Sequence, residues 1–497
     1  MIARAAAMQV RRPSPPIVIA GLTAGVLAGV LVAWNPLAGL ALLFALVYAP
    51  LAMTNLPLAL GLWLPLIFLE GIPGAKMLPE AGALVIAAAW LAQALQRDSW
   101  QRRQLRRHKR SLALACAFVL WLSLSLIWAQ DPGRGLTILL SATEVLILLV
   151  LVATTPTEPS HLRIVAACFV AGAVLSSSIG IVGHSAGVAF VDSEGRLQGA
   201  AGDPNFFAAQ MVAGMTLALG LLAGARHAGS RVLLTAALLP LAYGVIASES
   251  RGGFVALIAT GIAAIVIFRR QRAQILLVVV GIGAVMGIWL TSNSAAWERI
   301  SHASADRGSG RQDLWTVALR VYDSHPILGV GINNFAVYAP QYTREPGTLT
   351  GVIHIETGLG VHNAYLSLLA ETGVLGIVLF LSAAGSGVIA GVRGGRRFEL
   401  DGDARAALLA RAGAVALTGM LSAAFFLSDA EDKRIWVLMG LGLASAGVAG
   451  RTIEDRRRLG VLPAATLSPG RSRPAPGRSP AAPSRPAIAS APPRPLP

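Results

Sequence analysis

The feature that most constrains this chain is a series of apolar runs, each close to the thickness of a bilayer in length. About 20 apolar residues cross the hydrocarbon core as a helix, and fourteen runs approach that length. They cover residues 17–33, 37–53, 55–70, 78–96, 112–129, 135–153, 162–182, 205–223, 230–247, 252–268, 274–291, 374–392, 409–428 and 434–449. Only 13% of the residues are charged, which is too few for the surface of a soluble protein of this size.

The sequence therefore predicts an all-α polytopic membrane protein with about 12–14 transmembrane helices. The first three runs are the least distinct, because Pro36 and Pro57 divide a nearly continuous apolar block. Basic residues predict the orientation, since Lys and Arg accumulate in cytoplasmic loops. Arg97 to Arg110 holds seven of them, and alternation from this loop places residues 292–361 outside. The net charge of +16 has the same origin, so nucleic-acid binding is not expected.

The chain divides by composition into five parts. The last 47 residues contain eleven prolines and nine arginines and little that can form a core. The predicted parts are a cytoplasmic N-terminus (1–16), a transmembrane bundle with short loops (17–291), a long extracytoplasmic loop (292–361), C-terminal transmembrane helices (362–450) and a disordered, basic, proline-rich cytoplasmic tail (451–497).

The long loop is expected to be partly helical. From Ser309 to Asp323 the apolar residues Leu314, Val317, Ala318 and Val321 recur at helical spacing, with Ser309 as N-cap. A turn at Gly329-x-Gly331 follows; no strand precedes it, so a nucleotide-binding loop is not indicated. Asn333 or Asn334 is then expected to cap a second helix that carries Phe335, Tyr338 and Tyr342.

His362 and Asn363 stand where the long loop enters an apolar run. The alternative to a functional role is a histidine satisfied at the membrane interface. From His362 to Val392 one helix would be about 46 Å long against a hydrocarbon core of about 30 Å. The helix is therefore expected to break near Gly373 or to begin outside the bilayer. Glu371 falls on the face opposite His362, so a direct pair is not expected.

Other polar residues allow several interpretations. Arg251 needs an anionic partner, which Glu249 or a ligand phosphate can supply. Asp192 and Glu194 are either a solvated pair or ligands of a divalent ion. A metal site built from His354, Glu356, His362 and Glu371 matches no recognised spacing.

Five segments together resemble one family. They are GRLQGAAGDPNFFA, SRGGFVAL, SGRQDLWTVAL, HPILGVGINNF and VHNAYLSLLAETGVLG, and they run in order from Gly195 to Gly376. This series resembles the signatures of the O-antigen ligase and polymerase family. The resemblance implies work on glycans carried by a polyprenyl diphosphate at the outer face of the bacterial cytoplasmic membrane.

The resemblance also implies roles for particular residues. Arg251, Arg311 and His362 are the expected catalytic residues, and the expected substrate-binding residues are Arg196, Asn205, Asn363 and Glu371. Arginine is a fixed bidentate donor suited to the charge of a leaving diphosphate, so neither a metal nor a cofactor is expected. His362 is expected to accept the proton of the acceptor hydroxyl, with inversion at the anomeric carbon.

The expected partners are a polyprenyl-diphosphate-linked glycan donor, a glycan, lipid or protein acceptor, and membrane lipids. The motifs do not separate a polymerase from a ligase or a transferase to protein. Two other functions stay open: a transporter or flippase of the same lipid-linked glycan, and a metal-dependent membrane glycosyltransferase that uses Asp192 and Glu194.

Overall fold

The computed structural model describes residues 23, 25–26, 29–30, 32–188, 190–292, 311–343, 360–428 and 430–458. These residues are mostly helical, and the β pairing among them is limited to an isolated bridge between Val191 and Leu197. The helices before the long polar interval are α1 (Pro36–Thr54), α2 (Leu56–Trp63), α3 (Met77–Ala94), α4 (Trp100–Arg107), α5 (Lys109–Ser125), α6 (Pro132–Thr154), α7 (Pro159–Ser185), α8 (Pro204–Ala223), α9 (Ala228–Ala247), α10 (Arg251–Ile267) and α11 (Arg272–Ser292).

The helices of the interval and of the part after it complete the fold. They are α12 (Arg311–Ser324), α13 (Phe335–Thr343), α14 (Ala364–Leu400), α15 (Ala404–Ala423) and α16 (Lys433–Arg458). Short 3-10 helices cover Leu64–Phe68, Gly199–Ala201 and Ala424–Phe426.

Eight helices in the described part of the chain are long and apolar enough to cross a membrane, and shorter apolar helices accompany them. The predicted class, an all-α polytopic membrane protein, is confirmed. The run predicted at 17–33 lies largely outside the described residues. The other predicted runs each overlap a helix of the structure.

α16, α15 and α8 are the most deeply buried of the long apolar helices in the described part of the chain. In α16, 89% of the residues in the apolar window within Lys433–Ile453 are buried, and in α15 the corresponding share is 67%. Small residues line the contacts: Gly387 of α14 lies against Met439, and Gly391 lies against Ala414. Such residues allow helix backbones to approach closely in a membrane, where there is little hydrophobic drive between helices. α14, which begins just after His362, therefore packs closely on α15 and α16.

The first helix predicted in the long interval is confirmed as α12, with bounds close to those expected. Its predicted apolar face is buried: Leu314, Val317, Ala318 and Val321 are each at most 2% exposed. Ser309, the expected N-cap, lies outside the described residues.

The second predicted helix is confirmed as α13, but its capping differs from the prediction. The side chain of Asn334 exchanges hydrogen bonds with the backbone of Asp131 and does not cap α13. Asn333 has a left-handed backbone and donates its side-chain amide to Arg134 O. The group that accepts from Phe335 N is the carboxylate of Glu371 in α14.

Helix α14 breaks at Gly373, one of the two outcomes that its length predicted. Gly373 has φ 66° and ψ −170°, a conformation that is essentially restricted to glycine. The segment from Pro326 to Gly331 satisfies the broken turn. Val330 N and Gly331 N donate to the carbonyls of Ala370 and Glu371, and Val374 N donates to Pro326 O at 3.0 Å.

The chain separates into a compact unit of residues 1–452 and a second unit of residues 453–497. The predicted tail lies mostly in residues 459–497, outside the described residues.

Candidate active site

Asn205 and Arg251 lie where two helices begin. Arg251 is the first residue of α10, and Ser250 caps that helix by accepting a hydrogen bond from Gly253 N at 3.0 Å. The hydroxyl of Ser250 donates to Oδ1 of Asn205, the second residue of α8, at 2.8 Å. This buried hydrogen bond holds the N-termini of α8 and α10 side by side.

Asp203, which was not among the predicted site residues, lies beside this pair. Its carboxylate caps α8 by accepting hydrogen bonds from Asn205 N at 2.7 Å and Phe206 N at 3.0 Å. Asp followed by Pro204 at the first helical position is a recognisable helix start. The sequence therefore contained a signal for the cap, but not for its place near the predicted site.

Arg196 is held by the two acidic residues of its own loop. Its guanidinium lies 2.6 Å from Oδ2 of Asp192 and 3.4 Å from Oε2 of Glu194. Burial alone raises the pKa of Asp192, but hydrogen bonds from the backbone and side chain of Arg196 outweigh it and lower that pKa. The acidic pair considered as a metal site thus positions an arginine.

Arg311 is the first residue of α12, and its environment links it to the other arginines. Burial lowers the pKa of Arg311, Asp203 raises it, and the positive charges of Arg196 and Arg251 lower it further. These charges are therefore close enough to act on one another. In the described part of the chain, no carboxylate forms an ion pair with Arg251 or Arg311.

His362 precedes α14 in an unusual backbone conformation. Its φ of 52° is rare outside glycine, and its backbone N donates to Oγ of Ser428 at 3.2 Å. Burial and the charge of Arg311 lower the pKa of this half-buried histidine, whereas Asp203 raises it. The net effect keeps the imidazole neutral near pH 7, as a general base requires. The contact with Ser428 was not predicted, because the two residues are far apart in sequence.

Asn363 caps α14 and keeps one free donor. Its Oδ1 accepts from Tyr365 N at 3.0 Å and from Leu366 N at 3.1 Å. The side chain is fully buried, yet Nδ2 has no hydrogen-bond partner among the residues that the structure describes. An unpaired buried donor is costly and is often explained by a ligand or a bound water.

Glu371 makes a different set of contacts from the other predicted residues. Its carboxylate accepts from Asn333 N at 2.9 Å and from Phe335 N at 3.3 Å, and the residue is 7% exposed. None of these contacts involves Arg196, Arg251, Arg311 or His362. The charges of Arg196 and Arg251 thus act on Arg311, and the charge of Arg311 acts on His362. Asn205 and Asn363 lie at the starts of α8 and α14, and Glu371 has separate partners.

No three His, Cys, Asp or Glu side chains gather into a metal-binding group in the described ranges. His354 and Glu356, from the predicted alternative, lie outside them.

The arrangement is suited to an anion next to a neutral base. α10 and α12 both begin with an arginine, and a helix N-terminus adds partial positive charge and free N–H groups. A cavity of about 240 Å³ is lined by the two sequence neighbours of Arg196, Gly195 and Leu197, and by Glu249. Its lining includes His184, Val191, Gly195, Leu197, Tyr243 and Glu249.

Comparison with known families identifies the same region. Residues 236–381 match the sequence model of a family described as O-antigen ligase. The matched segment contains Arg251, Arg311, His362 and Glu371, and it begins after Arg196 and Asn205. No curated protein matches the chain. The match confirms the predicted resemblance to the O-antigen ligase and polymerase family over this segment, and it supports a glycosyl-transferring enzyme of cell-surface polysaccharide assembly.

Proposed function

We propose that this enzyme transfers a glycan from a polyprenyl-diphosphate carrier to an acceptor hydroxyl, with inversion at the anomeric carbon and without a metal. The grouping of Arg196, Arg251 and Arg311 with a neutral His362 carries the proposal. Positive charge for the leaving group and a base for the incoming group are the two requirements of this reaction, and both are present.

The three arginines act on the diphosphate. When the bond between the anomeric carbon and the phosphate oxygen breaks, the electron pair stays with the diphosphate and its negative charge rises. Guanidinium groups meet that charge through bidentate hydrogen bonds. Because Asp192 and Glu194 hold Arg196 and the starts of α10 and α12 hold the other two, the donors are positioned before the reaction.

His362 acts on the acceptor. The acceptor hydroxyl oxygen forms the new bond to the anomeric carbon from the face opposite the diphosphate, and the imidazole accepts its proton. Asn363 lies beside His362, and its Nδ2 has no hydrogen-bond partner among the described residues, so it is suited to a sugar hydroxyl or a phosphate oxygen of the bound substrate. Asn205, fixed to Ser250, is assigned to the donor side with Arg251.

The proposed location is the outer side of the bacterial cytoplasmic membrane. The distribution of Lys and Arg supports it, because the positive-inside rule predicts a cytoplasmic loop at Arg97 to Arg110, and alternation of the predicted spans from that loop predicts the opposite side for the site residues. Lipid-linked glycans that have been moved across the membrane are available there. The acceptor is a second glycan, a lipid or a protein.

Transfer from purified polyprenyl-diphosphate glycan in the presence of EDTA tests this function. We expect the wild type to be active and His362→Ala to lower turnover by about 10² to 10⁴-fold, the range for loss of a general base. Donor binding should be largely kept. Full activity of His362→Ala, or complete dependence on added divalent ion, would contradict the mechanism and favour Asp192 and Glu194.

The glycan-lipid profile of a deletion strain identifies the acceptor class. Accumulated single repeat units indicate a lost polymerase, and accumulated long lipid-linked chains indicate a lost ligase. Donor trapped on the inner side and depleted from the outer side would instead indicate a lost flippase.

A further inference from the structure

Glu371 joins two parts of the chain that carry the proposed reaction. It lies in the first part of α14, nine residues after His362, and its carboxylate reaches the segment that begins α13. Phe335 N is among the N–H groups that a helix start leaves unpaired, so the carboxylate caps α13 and lies at the positive end of its dipole.

The carboxylate is committed to this contact. A buried carboxylate is costly unless it is paired or hydrogen-bonded, and no Lys or Arg of the described residues forms an ion pair with Glu371. Its two oxygens each accept one backbone N–H, and the residue is 7% exposed. These contacts leave little of the carboxylate for a substrate hydroxyl.

The backbone around Glu371 strengthens the same junction. At the break of α14, the carbonyls of Ala370 and Glu371 accept from Val330 N at 3.1 Å and Gly331 N at 2.8 Å. Gly329 packs so closely against Glu371 that a Cβ there would overlap the main chain. The segment before α13 and the broken turn of α14 therefore fit together at one place.

Further contacts link this junction to α12, the helix that begins with Arg311. Arg320 of α12 donates to the carbonyl of Tyr342 in α13 at 2.8 Å. A small core joins α12, α13 and the first turns of α14; its buried members are Leu314, Val317, Ala318, Val321, Val330, Phe335, Ala339, Val361 and Ala370. Because α12 and α13 pack as one body, a shift of α13 relative to α14 moves Arg311 relative to His362.

We infer that Glu371 is a positioning residue that fixes α12 and α13 on α14 and so sets the place of Arg311 relative to His362. This inference rests on the proposed function and changes the role expected for Glu371 from substrate contact to positioning. Asn334 supports the same segment from another direction. Its side chain is fully buried and exchanges hydrogen bonds with the backbone of Asp131.

Asn334 provides the decisive comparison, because it is buried against protein and has no access to substrate. Glu371→Ala and Asn334→Ala should both lower kcat by about 10 to 10²-fold, the effect of a small misplacement of reacting groups. The KM for the donor should stay within about threefold in both. Glu371→Gln should retain intermediate activity, since one oxygen still accepts. Glu399→Ala, at the other end of α14 and paired with Arg411, is the control and should keep activity.

A rise in donor or acceptor KM in Glu371→Ala, with Asn334→Ala unaffected, would overturn the inference and return Glu371 to substrate contact. A spin-label distance between Asp323→Cys in α12 and Arg393→Cys in α14, with Cys116 and Cys168 replaced by alanine, measures position without any reaction. We expect a broader distance distribution in Glu371→Ala than in the wild type. If the wild type transfers no glycan but the distribution broadens, the proposed function fails while the positioning role stands; an unchanged distribution contradicts the positioning role.

Discussion

At the scale of single residues, His362 lies between opposing charges, and this gives a test by pH. Burial and Arg311 lower its pKa below the ordinary value of 6.5, so the neutral, active form persists into mildly acidic solution. Activity is lost as pH falls through that pKa, because the protonated imidazole accepts no proton. We expect the acid limb of kcat/KM, which reports the free enzyme, below pH 6.5. The acid limb of kcat, which reports the substrate complex, should lie at higher pH than that of kcat/KM, because bound diphosphate favours the imidazolium.

Asp203→Asn provides the matched variant for this profile. Asparagine caps a helix as well as aspartate does, so α8 should keep its start. Asp203 raises the pKa of His362, and its removal should therefore move the acid limb of kcat/KM to lower pH. If the acid limb of kcat/KM stays in place or moves to higher pH, the ionisation that it reports is not that of His362.

Arg311→Lys tests whether the shape of the guanidinium matters as well as its charge. Lysine keeps the charge but loses the planar fork that contacts two phosphate oxygens. The loss of one charged hydrogen bond is worth about 1.5–3 kcal/mol, which corresponds to about 10 to 160-fold in kcat/KM. The exposed Arg393→Lys at the far end of α14 serves as control. Equal kcat/KM in the two variants would argue against bidentate contact by Arg311.

The sequence indicated some of these residues and not others, for physical reasons. Arg251, Arg311 and His362 stand next to helix starts that local patterns reveal. Asp203 was visible as a cap only, and Ser428 and the carboxylate of Glu371 act on backbone groups distant in sequence. Periodicity reports the environment along one element, so it does not detect a hydrogen bond between two elements.

At the scale of elements, the helices were more predictable than their ends. α12 follows directly from the spacing of Leu314, Val317 and Val321, because those residues need a buried face. The cap of α13 was wrong, since the local asparagines have partners elsewhere and Glu371 supplies the acceptor. The break of α14 at Gly373 was one of the two outcomes predicted from helix length, but the segment that fills it is set by tertiary packing.

Gly373→Ala tests whether the break in α14 is needed for stability. With φ 66° and ψ −170°, a residue with Cβ is strained by about 1–3 kcal/mol, and the added Cβ would also overlap the carbonyl of Ile327. The thermal unfolding midpoint in detergent should fall accordingly. Gly385→Ala in the same helix meets no atom within 4 Å and should be neutral or stabilising by at most about 1 kcal/mol. Equal midpoints for the two variants would show that α14 does not need this break.

At the scale of the whole molecule, hydropathy located the spans but not their neighbours. The apolar window of α9 has a mean hydropathy of 1.7, and 17% of its residues are buried. The apolar window of α16 has a mean hydropathy of 1.3, and 89% of its residues are buried. Lipid tails and a protein interior are about equally apolar, so hydrophobicity does not separate a peripheral helix from a central one. Small residues such as Gly387 and Gly391 are the better signal for the centre.

Membrane orientation is the property on which the proposed donor depends, and three exposed positions test it. Asp323 lies at the end of α12, Arg393 at the far end of α14, and Arg106 in the basic helix α4. In a background with Cys116 and Cys168 replaced by alanine, each is changed to cysteine and treated in intact spheroplasts with a membrane-impermeant maleimide. Asp323→Cys should react at once, while Arg106→Cys and Arg393→Cys should react only after permeabilisation.

Labelling at Asp323 without labelling at Arg393 means that α14 crosses the bilayer between His362 and its basic end. The reverse pattern would place the arginines in the cytoplasm and contradict transfer at the outer face, even if every variant in the active site behaved as expected.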